Sequence, residues 1–147
     1  MRTQIQKSDT VAALNELLRG EMAAVETYAQ ALKALREMPS PELERARTSH
    51  EERVAAIRER ILLIGGAPSD GSGLWGAFAR LVQGGADLLG PKTAIAALGD
   101  GEDHMLEEYR ESLGKVDEDT RFFIESRLMP GQERTHETMS NVKHSLH

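Results

Sequence analysis

The chain has 147 residues, 18 Lys and Arg against 24 Asp and Glu, a formal charge of -6 and no cysteine. That length fits one well-packed core, so residues 1–147 are expected to form a single domain, and the acidic balance works against a nucleic-acid partner. Without thiols there are no disulfides, thiolate zinc sites or iron–sulfur clusters, so any metal must be held by carboxylates and imidazoles, a set that suits iron, manganese or zinc.

Residues Met1 to Thr10 are polar and lack the apolar core of a signal peptide. No apolar run approaches the roughly 20 residues that span a bilayer, so a cytoplasmic protein with no membrane partner is expected. Few aromatic or β-branched residues occur, and apolar positions recur every three or four residues, which predicts an all-α chain. Ser8, Asp9 and Thr10 can cap a first helix over residues 9–37, which must stop before Pro39-Ser40-Pro41. Ser40 as cap and Pro41 as first helical residue open a second helix. It runs to about Ile64 and is closed by Gly65-Gly66. Residues 65–91 form a long crossover in which Leu74, Trp75, Phe78, Leu81, Val82 and Leu89 line one side of a short helix. Pro91 begins a third helix that ends at Gly114. Asp117, Glu118 and Asp119 start a fourth that runs almost to the C-terminus, with a kink expected at Pro130-Gly131.

Charged residues normally fall off an apolar stripe, and here several fall on it. Steps of four and three pick out Leu14, Leu18, Glu21, Val25, Tyr28 and Leu32 in the first helix, and Leu43, Arg47, His50, Val54 and Ile57 in the second. They give Ile95, Leu98, Glu102, Met105 and Tyr109 in the third, and Phe122, Met129, Glu133, His136 and Ser140 in the fourth. A divalent cation needs anionic oxygens and imidazoles in a fixed, dry geometry, and Glu133 with His136 has the i, i+3 spacing that brings two ligands to one point. Glu21 and Glu102 supply facing carboxylates, and His50 a second imidazole. Tyr28 and Tyr109, one heptad after each Glu, can hydrogen-bond and orient those ligands.

Leu14-Asn15-Glu16-Leu17-Leu18-Arg19-Gly20-Glu21, continuing through Ala24 to Tyr28, resembles the first helix of bacterioferritins and other ferritin-like proteins. Gly101-Glu102-Asp103 followed by Tyr109, and Pro130 through His136, resemble uncharacterised bacterial bundles of that superfamily. The resemblance implies an up-down-down-up, ferritin-like four-helix bundle with a long crossover between helices 2 and 3, around a carboxylate-bridged di-iron or related centre. In such proteins the first and third helices each supply a Glu, here Glu21 and Glu102, and the second and fourth each supply a Glu-x-x-His, matched in the fourth by Glu133 and His136. In the second helix Arg47 stands where that pattern has a bridging Glu.

Two functions are therefore expected as alternatives. One is a bundle binding one or two metal ions, iron first, through Glu21, His50, Glu102, Glu133 and His136, with a role in iron handling or oxidative stress. The other is a non-catalytic interaction or dimerisation module in which an Arg47-centred ion network replaces the metal. A homodimer is compatible with either.

Overall fold

The computed structural model describes residues 4–35, 40–72 and 90–145. Every regular element among them is helical: α1 (Lys7–Ala34), α2 (Pro41–Leu63), α3 (Gly90–Ser112), and a fourth rod. That rod is α4 (Glu118–Phe123), a π-helical turn (Ile124–Leu128) and α5 (Met129–Ser145). None of these helices is long and apolar enough to cross a membrane. The short helix expected in the crossover, and the Trp75/Phe78 stripe, lie outside the described residues.

The boundaries follow local chemistry. Asp9 accepts a hydrogen bond from the Gln6 backbone N–H, closing the first turn of α1, which begins two residues before the expected start. Ser40 and Pro41 open α2 as expected. It ends where Gly65 takes φ +85 and the Gly66 N–H bonds the Ile61 carbonyl, a wrap that an L side chain at Gly65 would strain. Asp117 caps α4 through the Thr120 N–H, and its own N–H donates to Thr10 on α1.

Rod directions follow from the paired residues. Tyr28 meets Glu102 and Tyr109 meets Glu21, so α1 and α3 are antiparallel. His50 meets Glu21 while Ala67 meets Asn15, so α1 and α2 are antiparallel as well. Arg53 meets Gln132 and Arg60 covers Phe123, which sets the fourth rod against α2. The rods thus run up, down, down, up, with α1 and the fourth rod each packed on both α2 and α3.

Leu14, Leu17, Leu18, Ile57 and Ile61 fill one half of the core, and Ala31, Leu35, Leu43, Ala94 and Ile95 belong to the other. Between these apolar halves lies one buried layer of polar side chains.

Candidate functional site: a buried ion lattice

Glu21 and Glu102 project inward from α1 and α3, and both are fully buried. Tyr28 and Tyr109, seven residues further along each helix, bond across the pair. The Tyr28 hydroxyl donates to Glu102 Oε2 at 2.5 Å and the Tyr109 hydroxyl donates to Glu21 Oε2. This reciprocal crossing is what two antiparallel helices with the same Glu-to-Tyr interval produce. Burial and the adjacent carboxylates push both phenols well above their ordinary pKa, so they stay protonated as donors.

His50 sits between the two carboxylates. Its Nδ1 lies 2.5 Å from Glu21 Oε1 and its Nε2 lies 2.7 Å from Glu102 Oε2. A neutral imidazole has one N–H and one lone pair, and a lone pair facing a carboxylate oxygen at such a distance is repulsive. Both nitrogens therefore carry protons, and the ring is an imidazolium. Burial and the nearby Arg53 guanidinium oppose that charge, but Glu102 and Glu21 outweigh them and raise the pKa.

Arg53, one turn after His50, supplies the second cation. Its Nη1 donates to Gln132 Oε1 at 2.6 Å and lies 3.3 Å from Glu21 Oε2; its Nη2 donates to Thr135 Oγ1 at 3.1 Å. Gly131 admits the Arg53 stem, since a Cβ there would stand 3.4 Å from Arg53 Cδ and Nε. Arg53 Nη2 also lies 3.0 Å from His50 Nδ1, a contact of two donors that both carboxylates must offset.

Glu102 has all its acceptor capacity in use. Oε2 receives Tyr28 and His50, while Oε1 receives Gln132 Nε2 at 2.9 Å and Thr135 Oγ1 at 2.8 Å. Burial raises its pKa, but the His50 charge and hydrogen bond, the Tyr28 bond and Arg53 together lower it from 4.5 to about 2. Two carboxylates thus face one imidazolium and one guanidinium, and the layer is electrically neutral. Among the described residues, the buried side-chain polar atoms without a hydrogen-bond partner are Arg47 Nε, Arg60 Nε and Thr120 Oγ1, none of them in this layer.

Of the eight positions singled out in the sequence, Glu21, Tyr28, His50, Glu102 and Tyr109 meet here. Three do not. Glu133 is exposed, and His136 lies at the surface, its Nε2 2.6 Å from Asp103 Oδ1. The inward pair of the fourth rod is Gln132 and Thr135. The expected stripe was anchored on Phe122, which is 72% exposed, whereas Thr120, Ile124, Leu128 and Gln132 point inward at strict steps of four. An i→i+5 turn at Ile124–Leu128 absorbs the additional residue that such steps require. That turn also relieves Pro130, whose ring clashes with the carbonyl four residues back in a regular ladder, so the break falls one turn before the expected kink.

Arg47 is likewise not the central cation. It is half-exposed, with Nε 3.9 Å from Glu51. The walks Leu43, Arg47, His50, Val54 and Leu43, Ala46, His50, Arg53 share the same anchors, and the second is the buried one.

A metal ion needs donors converging on one point. Here the imidazole stands between the carboxylates, with one nitrogen on each, and a guanidinium occupies the space beside Glu21. The residues present do not fit a metal centre, and no group of three or more His, Asp or Glu suited to hold an ion occurs among the described residues. Comparison with protein-family models, curated proteins and solved structures finds no match to this chain.

Proposed function

We propose that this chain is a ferritin-like four-helix bundle that works as a non-catalytic interaction module, with His50 and Arg53 providing the positive charge that metal ions supply in di-metal carboxylate bundles. The carrying observation is the imidazolium bonded through both ring nitrogens to Glu21 and Glu102. The up-down-down-up order supports the fold assignment, as does the arrangement of polar positions. In di-metal bundles two helices each give a Glu and the other two each give an i, i+3 Glu-x-x-His. Here the first two slots hold Glu21 and Glu102, and the i, i+3 slots hold His50-x-x-Arg53 and Gln132-x-x-Thr135. In this correspondence, which moves the second-helix pair from Arg47-x-x-His50 to His50-x-x-Arg53, the second and fourth rods present cations or neutral hydrogen-bonding groups where that pattern has anions and metal ligands.

A lattice closed in this way leaves no open position for a substrate or dioxygen, so activity falls to the outer surface. The iron-handling reading requires five ligands at one centre, and only Glu21, His50 and Glu102 of its set are neighbours.

Elemental analysis of protein produced in iron-, manganese- and zinc-supplemented medium, followed by Fe(II) addition in air, tests the proposal. Substoichiometric metal, no growth of ferric absorbance and a Tm indifferent to Fe(II) and to chelator are expected. One or two ions per chain with a raised Tm would overturn it, because a ligand that binds only the native state stabilises it.

A further inference from the structure

Between α3 and α5, outside the buried ion layer, lies a cavity of about 300 Å³, at the lower end of the range that encloses small organic ligands. Gly99 and Asp103, one turn apart, line it from α3; His136, Met139, Ser140 and Lys143 line it from α5. His136 Nε2 donates to Asp103 Oδ1 at 2.6 Å, which leaves Oδ2 to a ligand. Lys143 runs alongside Gly99, its Cδ 3.8 Å from where a Cβ of Gly99 would stand, and Asp103 pairs with His136 rather than with Lys143. Two opposite charges thus line one cavity without neutralising each other. Glycine weakens a helix interior relative to alanine, and no described neighbour packs on Gly99 closely enough to exclude a Cβ. The effect of its bare backbone is to keep the cavity open. Lys143, in the last turn of α5, suits the negative end of that helix, but this explains neither the glycine nor the separate carboxylate.

We infer that this cavity binds a free α-amino acid as its zwitterion. The ligand's ammonium group donates to Asp103 Oδ2, and its carboxylate accepts from the Lys143 ammonium and the Ser140 hydroxyl, so charge-assisted bonds hold both of its ends. His136 steadies Asp103 through the other oxygen. His136, Ser140 and Lys143 fall at i, i+4 and i+7, on one face of α5. Met139 gives the ligand's side chain an apolar backing, and the gap over Gly99 admits a small aliphatic group. A plain anion would be opposed by Asp103 and a plain cation by Lys143, whereas a ligand carrying both signs satisfies the two. The cavity shares no residue with the ion layer, so the inference goes beyond the metal-free reading and does not depend on it.

Titration of isotope-labelled protein with glycine, L-alanine and L-leucine, followed through the backbone amide resonances, tests the inference. Saturable shifts centred on Gly99, Asp103, Ser140 and Lys143 are expected, with acetate and methylamine, each carrying one of the two charges, at least about tenfold weaker. Asp103→Asn and Lys143→Gln each delete a charge-assisted bond and should each weaken the tightest of the three amino acids about tenfold, with an unchanged helical circular dichroism spectrum. Gly99→Leu should abolish binding by filling the cavity. No saturable shift with any of the three amino acids, acetate or methylamine binding as tightly as they do, or unchanged binding in the Asp103 and Lys143 variants would each overturn the inference.

Discussion

Replacing Arg53 with Met keeps most of the side-chain volume and removes one of two cations from a layer that holds two carboxylates. The guanidinium is 4% exposed, so solvent screening does little to soften the loss. Glu21 would keep His50 and Tyr109 but lose its second cation, Gln132 Oε1 would lose its 2.6 Å donor, and the layer would carry a net negative charge. Breaking a buried ion pair by removing one partner costs about 3–5 kcal/mol. For a domain of this size that is a fall in Tm of roughly 6–20 °C. The second arm of the experiment removes the charge left behind. Arg53→Met/Glu21→Gln restores neutrality, with one imidazolium facing one carboxylate, and should be more stable than the sum of the single variants implies by at least about 1 kcal/mol. Urea unfolding followed by circular dichroism reads both quantities. A cost below about 1 kcal/mol for Arg53→Met, the range of an exposed pair, or strict additivity in the double variant, would refute the neutral-lattice reasoning.

The pH dependence carries a sign. His50 has a raised pKa, so its contribution is complete below the ordinary 6.5 and is lost as pH rises through the higher folded-state value. Glu102 is depressed to about 2, so its contribution is complete above the ordinary 4.5 and is lost as pH falls through about 2. Thermal melts should therefore show a stability plateau between those two ordinary values, with a decline on the alkaline side that His50→Gln abolishes; persistence of that limb in the variant contradicts the assignment. Tyr28→Phe and Tyr109→Phe each delete a donor to a buried carboxylate and should each cost about 1.5–3 kcal/mol in urea unfolding; near-neutral values for both would show that the crossed pairs contribute nothing. Installing Glu-x-x-His in both i, i+3 slots, as His50→Glu/Arg53→His/Gln132→Glu/Thr135→His, should create a bundle whose Tm rises with added Fe(II) or Zn(II), while the unaltered chain does not respond. Metal-indifferent melting of a folded quadruple variant would count against the slot correspondence.

The first and third helices were the legible part of the site. Ile95, Leu98, Glu102, Met105 and Tyr109 are all buried as the third-helix stripe requires, whereas in the first helix Leu14, Leu18, Glu21 and Tyr28 are buried but Ala24 and Ala31 fill the core in place of the expected Val25 and Leu32, which are half-buried. The second helix was ambiguous for a specific reason: stepping by four then three, or by three then four, passes through Leu43, His50 and Ile57 alike. Only Ala46, a small residue beside Arg47, argued for the second walk, which brings Arg53 inward. The fourth rod departs from its expected stripe because a π turn does not announce itself through helical spacing. The available signal was the run Thr120, Ile124, Leu128, Gln132, four apart throughout, together with Pro130 at a position that disturbs the ladder just before it. Glu133 and His136 have the spacing of a ligand pair, but burial without a metal favours the neutral Gln132 and Thr135 beside them. The helix-terminating chemistry of Ser40-Pro41, Gly65-Gly66 and Asp117 was readable because it is local.

Isotope-labelled histidine NMR on metal-free protein at neutral pH probes the centre of the bundle most directly, through the two ring nitrogens of His50. The account predicts that both are protonated, with two N–H resonances protected from solvent exchange and nitrogen shifts of an imidazolium, all lost in His50→Gln. A neutral ring with one bare nitrogen, or a nitrogen resonance that moves on addition of stoichiometric Fe(II) or Zn(II), would contradict it.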